Sequence, residues 1–377
     1  MVEIAVVGSG TMGAGIAESA ALAGMSTIML DVREDALARG RETIERDLKR
    51  RVDKGRLSDD ERDEALGRVS TTTSLEDCAD AALVVEAVVE DIEVKRTVFA
   101  DLEGVVGGET VLATNTSSLS VAGIAVATER PERVIGLHFF NPVPAMRLVE
   151  VVTGPSTDPS VVGRAEEAVE RLGKTPIRVS DTPGFIVNRV ARPFYLEALR
   201  LVEAGGEPEQ VDAAIRGAGF RMGPLQLADL IGHDVNLAVS ESLFERYYYH
   251  PRFRPSHLQR SMVEAGLLGR KSGRGFYNYG AEEQGQTGKK TEAAAHIALR
   301  VISCIVNEAF LALGEGVASA EDIDEAMKLG ANYPKGPFEW AEEIGTPRIL
   351  QTLDSLRITH GEAYVAAPSL RERAAGT

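Results

Sequence analysis

Cysteine is scarce in this chain, which has only two among 377 residues. Cys78 and Cys304 lie far apart and form no C-x-x-C pair, which excludes a disulfide scaffold and a cysteine-based metal centre. Both cysteines are therefore expected to be small buried apolar residues. The chain is long enough to fold as two or three domains without cross-links.

Positive charge is also in deficit. The formal net charge of −16 at pH 7 disfavours nucleic acid or another polyanion as a partner. We find no apolar run near the length of a membrane span and no basic leader, so we expect no membrane partner and a cytoplasmic location. Five of the six histidines lie in helical or loop patterns with no paired ligand spacing, and no metal site is predicted; they are His233, His250, His257, His296 and His360.

Glycine is concentrated near the start, where a G-x-G-x-x-G cluster follows an apolar stretch and opens a helical pattern. Gly8 permits a tight turn, Gly10 lets the backbone approach a pyrophosphate, and Gly13 allows helix and strand to pack closely. Asp31 ends the next apolar stretch, where a carboxylate binds a ribose 2′-hydroxyl and repels a 2′-phosphate. This favours NAD as cofactor over NADP, the alternative being an ordinary βαβ turn with a solvated aspartate. The candidate cofactor residues here are Gly8, Gly10, Thr11, Met12, Gly13 and Asp31.

Strand-like apolar runs alternate with helical patterns through the first half of the chain. These runs are Ile4–Val7, Thr27–Leu30, Leu83–Ala87, Val111–Thr114, Val134–His138 and Leu148–Val152. Such alternation predicts an α/β fold with a Rossmann-type doubly wound parallel sheet, over residues 1–182. Residues 34–66 are too long and too charged for one crossover helix. We expect them to form a helical hairpin that projects from the sheet and acts as a clamp.

The remainder has helical patterns and contains an internal repeat. Residues 217–232 match residues 330–345 at a constant offset of 113, including a Gly-Pro turn and an aromatic residue three positions before it. We therefore expect an all-α C-terminal domain in two tandem copies, 183–280 and 291–377, joined by a polar linker at 281–290. Chance similarity between two glycine-rich helix turns is the alternative.

Polar residues follow the strand-like runs and are the candidates for chemistry. The carboxyl ends of parallel strands line the ligand crevice, so Ser117 and His138 are expected to face the nicotinamide. Oxidising an alcohol by hydride transfer needs a base for the hydroxyl proton, and a neutral imidazole titrates in the useful range. His138 is that candidate, unless it is simply a half-buried histidine bonded to the backbone.

Glu150 and Asn188 complete this candidate site. If Glu150 reaches the other ring nitrogen of His138, it fixes the tautomer and stabilises the imidazolium; otherwise it is a strand-end ion-pair partner. Ser117 and Asn188 are neutral donors suited to holding a substrate oxygen. A Ser-His-acid hydrolase would use similar residue types, but no G-x-S-x-G sequence supports one.

With these residues placed, the chain resembles the (3S)-3-hydroxyacyl-CoA dehydrogenase family over nearly its whole length. The resemblance is carried by VVGSGTMGAGIA from Val6, VVEAVVEDIEVKRTVF from Val84, ATNTSSLS from Ala113, GLHFFNPVPAMRLVEVV from Gly136, DTPGFIVNR from Asp181 and GRKSGRGFYNY from Gly269. It implies the reversible NAD-dependent oxidation of a 3-hydroxyacyl-CoA to the 3-ketoacyl-CoA, with a short-chain substrate such as 3-hydroxybutyryl-CoA.

The resemblance also implies roles for particular residues. His138 is then the catalytic base paired with Glu150, while Ser117 and Asn188 bind the oxygens of the substrate. Lys54, on the expected hairpin, falls where the family places a lysine near the CoA end of the substrate. The further implied cofactor contacts are Glu90, Lys95, Asn115 and Asn141.

Two questions of substrate stay open. Residues 219–255 look closer to the short-chain bacterial and archaeal members, including those of phenylacetate breakdown that oxidise 3-hydroxyadipyl-CoA. A second carboxylate needs a cation, for which Arg221, Arg252 and Arg254 are candidates. A sugar-acid dehydrogenase of similar fold is another alternative, as is a non-catalytic dinucleotide-binding protein.

A last expectation concerns assembly. By the resemblance, members with one helical domain pair through that domain as homodimers. Here the second copy is expected to pack on the first as a pseudo-twofold partner and to replace the usual dimer contact. A homodimer through another surface stays possible.

Overall fold

The computed structural model describes residues 3–280 and 292–376. The chain divides into two compact units, Met1–Thr182 and Pro183–Thr377. The first is an α/β unit and the second is helical. The expected linker at 281–290 lies outside the described residues.

The α/β unit is built on a sheet that has eight strands within the described residues, in the order β3-β2-β1-β4-β5-β6-β7-β8. The strands are β1 (Ile4–Val7), β2 (Thr27–Leu30), β3 (Val69–Thr72), β4 (Leu83–Glu86), β5 (Val111–Thr114), β6 (Val134–Phe139), β7 (Leu148–Thr153) and β8 (Thr175–Ser180). Neighbouring strands are parallel except β6 and β7. The strand order reverses at β1, and open α/β sheets bind ligands beside such a point. The predicted doubly wound α/β class is confirmed.

The helices of this unit cover the sheet. They are α1 (Thr11–Leu22), α2 (Glu34–Asp53), α3 (Asp59–Gly67), α4 (Ile92–Glu103), α5 (Val121–Ala125) and α6 (Pro159–Arg171). The expected hairpin is the pair α2 and α3. It does not simply project, because Leu37, Gly40, Ile44 and Leu48 on α2 are buried and α2 packs along α1. A clamping role for its exposed end stays a prediction.

Strands β3 and β8 were not predicted from the sequence. β3 reads VSTT and β8 reads TPIRVS, so neither forms a continuous apolar run. Both are edge strands of the sheet, where one side faces no partner strand and polar residues are tolerated. The inner strands β1, β2, β4 and β5 are buried at every residue, as parallel strands covered on both faces must be.

The second unit is formed by helices and contains no strand within its described residues. The helices are α7 (Val187–Val190), α8 (Arg192–Glu203), α9 (Pro208–Gly217), α10 (Pro224–Ile231), α11 (His233–Arg246), α12 (His257–Glu264), α13 (Glu292–Gly314), α14 (Ala320–Ala331), α15 (Pro337–Ile344), α16 (Thr346–His360) and α17 (Pro368–Ala375). Single-turn 3-10 helices occur at Leu75–Cys78, Pro131–Arg133, Pro251–Phe253, Arg270–Ser272 and Glu362–Tyr364.

The two repeat segments have the same local structure. Asp212 on α9 accepts hydrogen bonds from the first amides of α10, at 2.9 Å each. Asp324 on α14 accepts from the first amides of α15, at 2.8 and 3.1 Å. A Cβ at Gly223 or Gly336 would strike the aspartate it faces, so each Gly-Pro turn requires glycine.

The two stretches expected to be tandem copies, 183–280 and 291–377, also meet through reciprocal ion pairs. Arg189 Nε lies 2.7 Å from Glu308 Oε1, and Arg300 Nε lies 2.9 Å from Glu197 Oε2. Arg189 precedes Glu197 by the same eight positions by which Arg300 precedes Glu308. Such exchange of equivalent contacts is the pattern of a twofold axis.

Helix α13 passes the length and composition test for a membrane span, the one described helix to do so, and the sequence analysis did not anticipate this. In the helical unit 61% of its apolar window is buried, and α13 packs against α8, α9 and α15. A core helix passes the same test, and these contacts favour that interpretation. The two cysteines are buried and unpaired, as predicted.

Candidate active site

The glycine-rich turn between β1 and α1 forms one wall of a cleft of about 870 Å³. Gly8 has a φ of +101°, and a Cβ on Gly13 would lie 1.8 Å from the carbonyl oxygen of Gly8. Nothing lies within 4 Å of a Cβ built at Gly10, so the backbone there is open to a close ligand. Thr11 and Met12 line the same cleft. An anion such as a pyrophosphate suits this start of a helix.

Asp31, directly after β2, also lines this cleft. Its Oδ2 accepts hydrogen bonds from the Ser9 amide at 2.9 Å and the Ser9 hydroxyl at 2.8 Å. The neighbouring Arg33 is engaged with Asp35 through its side chain, so it does not neutralise Asp31. A fixed carboxylate at this strand end suits the free ribose hydroxyls of NAD.

Glu90 ties together the loops at the ends of β4 and β5. Its Oε1 accepts hydrogen bonds from the Thr116 hydroxyl at 2.6 Å and from the amides of Ser117 and Ser118 at 3.0 and 3.1 Å. Burial opposes its ionisation, but the bond from Thr116 and the charge of Lys95 outweigh this and lower the pKa of Glu90. The carboxylate therefore stays charged and holds the loop that carries Ser117.

Lys95 is buried on α4 and lies 2.6 Å from Glu86 and 3.3 Å from Glu90. Glu86, at the end of β4, also accepts from the Thr114 hydroxyl at 2.7 Å and the Val88 amide at 2.7 Å. Lys95 thus supports the position of Glu90 from behind, and direct contact with a cofactor stays a prediction. Sequence reasoning missed Glu86, although an acidic residue ending an apolar strand is a visible signal.

His138 and Glu150 are brought together by the antiparallel pairing of β6 and β7. The register sets His138 directly opposite Glu150, and directly opposed residues project from the same face of a sheet. His138 Nδ1 lies 2.6 Å from Glu150 Oε2, and both side chains are buried. A carboxylate accepts but does not donate, so Nδ1 carries the proton and Nε2 is the nitrogen able to accept one.

Ser117 and His138 leave the sheet at the same edge. The parallel register of β5 and β6 places Thr114 beside Gly136, so both following segments emerge together. Asn115 Oδ1 accepts a hydrogen bond from the Phe139 amide at 2.9 Å, which fastens the two segments. The ring of Phe140 lies 4.5 Å from that of His138 between centroids and shields the imidazole.

The other predicted residues are more scattered. Asn188 belongs to the helical unit, on α7. Lys54 is exposed directly after α2, and Asn141 is exposed in the loop after β6. Their contacts with substrate or cofactor stay predictions. Within residues 3–280 and 292–376, no cluster of three His, Cys, Asp or Glu could hold a metal ion.

A buried polar cluster that was not predicted from the sequence supports the loop that follows Asn141. Lys174 Nζ donates to the carbonyls of Val143 and Met146, at 2.6 and 2.8 Å. Glu18 on α1 belongs to the same cluster, and its Oε1 lies 3.2 Å from Arg51 Nε. Burial raises the pKa of Glu18 to about 7, and burial lowers the pKa of Lys174 to about 8.

Two domain models of one protein family match this chain. The model for the 3-hydroxyacyl-CoA dehydrogenase NAD binding domain matches residues 3–182. The model for the C-terminal domain of the same family matches residues 184–279 and 296–376. The chain belongs to the 3-hydroxyacyl-CoA dehydrogenase family, and its cofactor is NAD.

Individual relatives agree with this assignment. The chain is 40% identical to the 3-hydroxyadipyl-CoA dehydrogenase of Escherichia coli (strain K12), across 98% of this chain and 97% of that protein. It is 47% identical to the 3-hydroxybutyryl-CoA dehydrogenase of Mycobacterium tuberculosis, across 73% of this chain and 98% of that protein. The solved structure of 3-hydroxybutyryl-CoA dehydrogenase from Escherichia coli K12 superposes with a TM-score of 0.94 at 38% identity, covering 99% of this chain and 98% of that one.

Replacing Asp31 tests the cofactor preference. We expect Asp31→Ser to raise the NADPH to NADH ratio of kcat/KM about 10- to 100-fold, because it removes a charge-assisted bond and the repulsion of a 2′-phosphate. Steady-state kinetics with both cofactors measures the ratio, and Asp60→Ser, on the exposed face of α3, serves as control. An unchanged ratio would show that Asp31 does not select the cofactor.

Replacing Glu18 tests the buried cluster. The pKa of Glu18 is about 7 in the folded protein and 4.5 ordinarily, so the folded state holds an extra proton between these values. The free energy of unfolding therefore falls as the pH rises from 4.5 to 7, and the full cost of burying the charged carboxylate is present above pH 7. Glu18→Gln should therefore gain up to roughly 3 kcal/mol in free energy of unfolding over the wild type, on going from pH 5 to pH 8. Urea denaturation across pH measures this, with exposed Glu42→Gln as control. A difference independent of pH would contradict the prediction.

Proposed function

We propose that this protein catalyses the reversible NAD-dependent oxidation of a (3S)-3-hydroxyacyl-CoA to the 3-ketoacyl-CoA, with a short-chain substrate such as 3-hydroxybutyryl-CoA. One observation carries the proposal: a buried histidine is paired at 2.6 Å with a buried carboxylate, in the sheet that also lines the cofactor cleft. Family membership agrees with this activity. We also propose a cytoplasmic location, since the two buried cysteines are unpaired, as expected of a reducing compartment.

The proposed chemistry divides the work between His138 and its neighbours. NAD, when bound along the cleft between Gly8 and Asp31, supplies the hydride acceptor. Nε2 of His138 takes the proton of the substrate hydroxyl as the carbonyl forms, and Glu150 stabilises the resulting imidazolium through Nδ1. In the reverse direction the same nitrogen returns the proton.

We assign the substrate oxygens to two neutral donors. Ser117, whose position Glu90 fixes through the Ser117 amide, is proposed to donate to the oxygen that becomes the carbonyl. Asn188 is proposed as a second donor on the chemistry of its amide. Lys54 is proposed to contact the CoA moiety, since it is exposed at the end of α2.

A dicarboxylic acyl-CoA is the second candidate substrate. It is favoured by the relative that matches 98% of this chain, which is named a 3-hydroxyadipyl-CoA dehydrogenase. The reaction at C3 is the same for both substrates, so only the far end of the acyl chain distinguishes them.

The base is tested by replacing His138. We expect His138→Ala to lower kcat for NADH-dependent reduction of acetoacetyl-CoA by about 10²- to 10⁴-fold, because proton transfer loses its catalyst. Binding of NADH, followed by fluorescence titration, should stay within a factor of two.

His257→Ala, on the exposed start of α12, is the matched control and should keep wild-type turnover. Turnover of His138→Ala within a factor of two of wild type would contradict the assignment. Absence of activity of the wild type toward every CoA ester would contradict the proposed function itself.

For assembly, we propose that residues 291–377 are a second copy of the helical domain that occupies the place of a partner subunit. The reciprocal pairs Arg189–Glu308 and Arg300–Glu197 support this, as does the matching of one family model to both segments. The second copy has no counterpart of the Asn188 sequence and is proposed to be structural in the sense that it holds no second catalytic site.

Truncation tests this assembly. A chain ending at residue 280 exposes the faces of α8 and α9 that α13 covers, so we expect it to dimerise through them, pairing Arg189 with Glu197 of the twin. Glu197→Arg should abolish that dimer. Light scattering of the truncated and full chains measures the masses. If both chains form the same dimer, the proposal is wrong.

A further inference from the structure

The buried side chain of Arg192 has hydrogen-bonding capacity that the protein does not use. Arg192 begins α8 and is 3% exposed. All its hydrogen bonds run through Nη1, to the carbonyl and side-chain oxygens of Asn236 and to the hydroxyl of Ser240, at 3.2 to 3.3 Å. Its Nε is buried without a partner.

Arg192 differs in this from the other enclosed arginines of the helical unit. Arg189 and Arg252 pair with Glu308, while Arg200 and Arg300 pair with Glu197. Arg192 has no carboxylate within ion-pair distance among residues 3–280 and 292–376. A buried guanidinium without a carboxylate is costly unless something compensates it.

A chain of polar contacts connects the partner of Arg192, Asn236, to the carboxylate of Asp229. Asn236 accepts from Gln259 at 3.1 Å, and Gln259 lies 3.4 Å from His233. His233 Nε2 lies 2.6 Å from Asp229 Oδ1. Asp229 is further bonded by the amides at 276 and 277, so its charge is already satisfied and it does not pair directly with Arg192.

A second buried donor close to Arg192 also lacks a partner. The hydroxyl of Tyr333 is buried without a hydrogen bond, and its ring lies 5.7 Å between centroids from that of Phe194, two residues after Arg192. The ring of Tyr195 lies over the guanidinium, 5.0 Å from centroid to Cζ. The hydroxyl of Tyr333 and the Nε–H of Arg192 are both able to donate to a carboxylate, which accepts from both.

We propose that Arg192, assisted by Tyr333, binds the terminal carboxylate of a dicarboxylic 3-hydroxyacyl-CoA and so determines preference for that substrate class. This rests on the proposed function. The unused Nε edge of a guanidinium is one that takes a carboxylate side-on.

The spacing along the chain fits such a substrate. Asn188, the proposed donor to the C3 oxygen, lies on α7, and Arg192 begins α8 four positions later. Ala191 between them keeps helical backbone angles and its amide bonds the carbonyl of Val187, so the separation approximates that of residues four apart on one helix, about 5 to 6 Å at Cβ. From C3 to the terminal carbon of an adipyl chain there are three carbon–carbon bonds, which span roughly 4 Å. Of the arginines considered from sequence, Arg252 is held by Glu308, and Arg221 and Arg254 are exposed.

The test compares two substrates of equal length, 3-hydroxyadipyl-CoA and 3-hydroxyhexanoyl-CoA, with NAD. They differ only in a carboxylate against a methyl group. We expect the wild type to prefer the adipyl ester in kcat/KM, and Arg192→Met to lower kcat/KM for that ester about 10²-fold, since a site built for a polar group discriminates strongly. The hexanoyl ester should change less than threefold. Tyr333→Phe should shift the ratio the same way, by less.

Arg260→Met, in an exposed ion pair of the same unit, is the control and should leave the ratio unchanged. Dissociation constants of adipyl-CoA and hexanoyl-CoA for the wild type, in the presence of NADH, provide a measurement that needs no variant to fold. Tighter binding of adipyl-CoA is expected.

Three results would overturn the inference: equal dissociation constants, no adipyl preference in the wild type, or an equal loss on both esters in Arg192→Met. A wild type that oxidises the hexanoyl ester without preferring the adipyl ester contradicts this inference alone. A wild type that oxidises neither of these esters nor 3-hydroxybutyryl-CoA contradicts the proposed function as well.

Discussion

The antiparallel pairing of β6 with β7 is the constraint on which the site depends. In an otherwise parallel sheet it turns the chain back, so that the end of β6 meets the interior of β7, with His138 opposite Glu150. A shift of one residue would send one of the two side chains to the opposite face. Glycine at 136 is part of this pairing, because a Cβ there would lie 2.7 Å from Cβ of Val152. The chemistry at His138 is therefore fixed by backbone register before any ligand binds.

Two further carboxylates, those of Glu86 and Glu90, stabilise the loops of the α/β unit that carries His138 and Glu150. Glu90 accepts hydrogen bonds from the Thr116 hydroxyl and from the amides of Ser117 and Ser118. Glu86 accepts from the Lys95 ammonium and the Thr114 hydroxyl. Each anchors a loop at the end of a parallel strand, where backbone groups have no sheet partner. The α/β unit thus presents a cofactor cleft whose loops are held by hydrogen bonds to carboxylates, and a preorganised base on β6, which lowers the reorganisation needed during reaction.

Much of this was predictable from sequence because its signals are local. Continuous runs of buried β-branched and apolar residues marked the inner strands, and the spacing from Gly8 to Asp31 marked the cofactor turn. The edge strands β3 and β8 escaped because their residues are mixed. The cluster of Glu18 and Lys174 escaped because its members lie far apart in sequence and meet only through packing. Arg192 was not predicted from the sequence. Its distinctive feature is the absence of a carboxylate neighbour in the described helical unit, and only the three-dimensional structure shows this. The repeat of Gly217 and Gly330 was visible, whereas the reciprocal ion pairs were not.

The most direct measurement on the central claim is the tautomer of His138. Nitrogen NMR on the full chain with ¹⁵N-labelled histidine, assigned by comparison with His138→Asn, reports protonation at each ring nitrogen. In the neutral imidazole we expect a proton on Nδ1, facing Glu150, and none on Nε2. A proton on Nε2 with Nδ1 bare would show that the register does not prepare His138 to act as the base, and the role of the β6–β7 pairing would have to be abandoned.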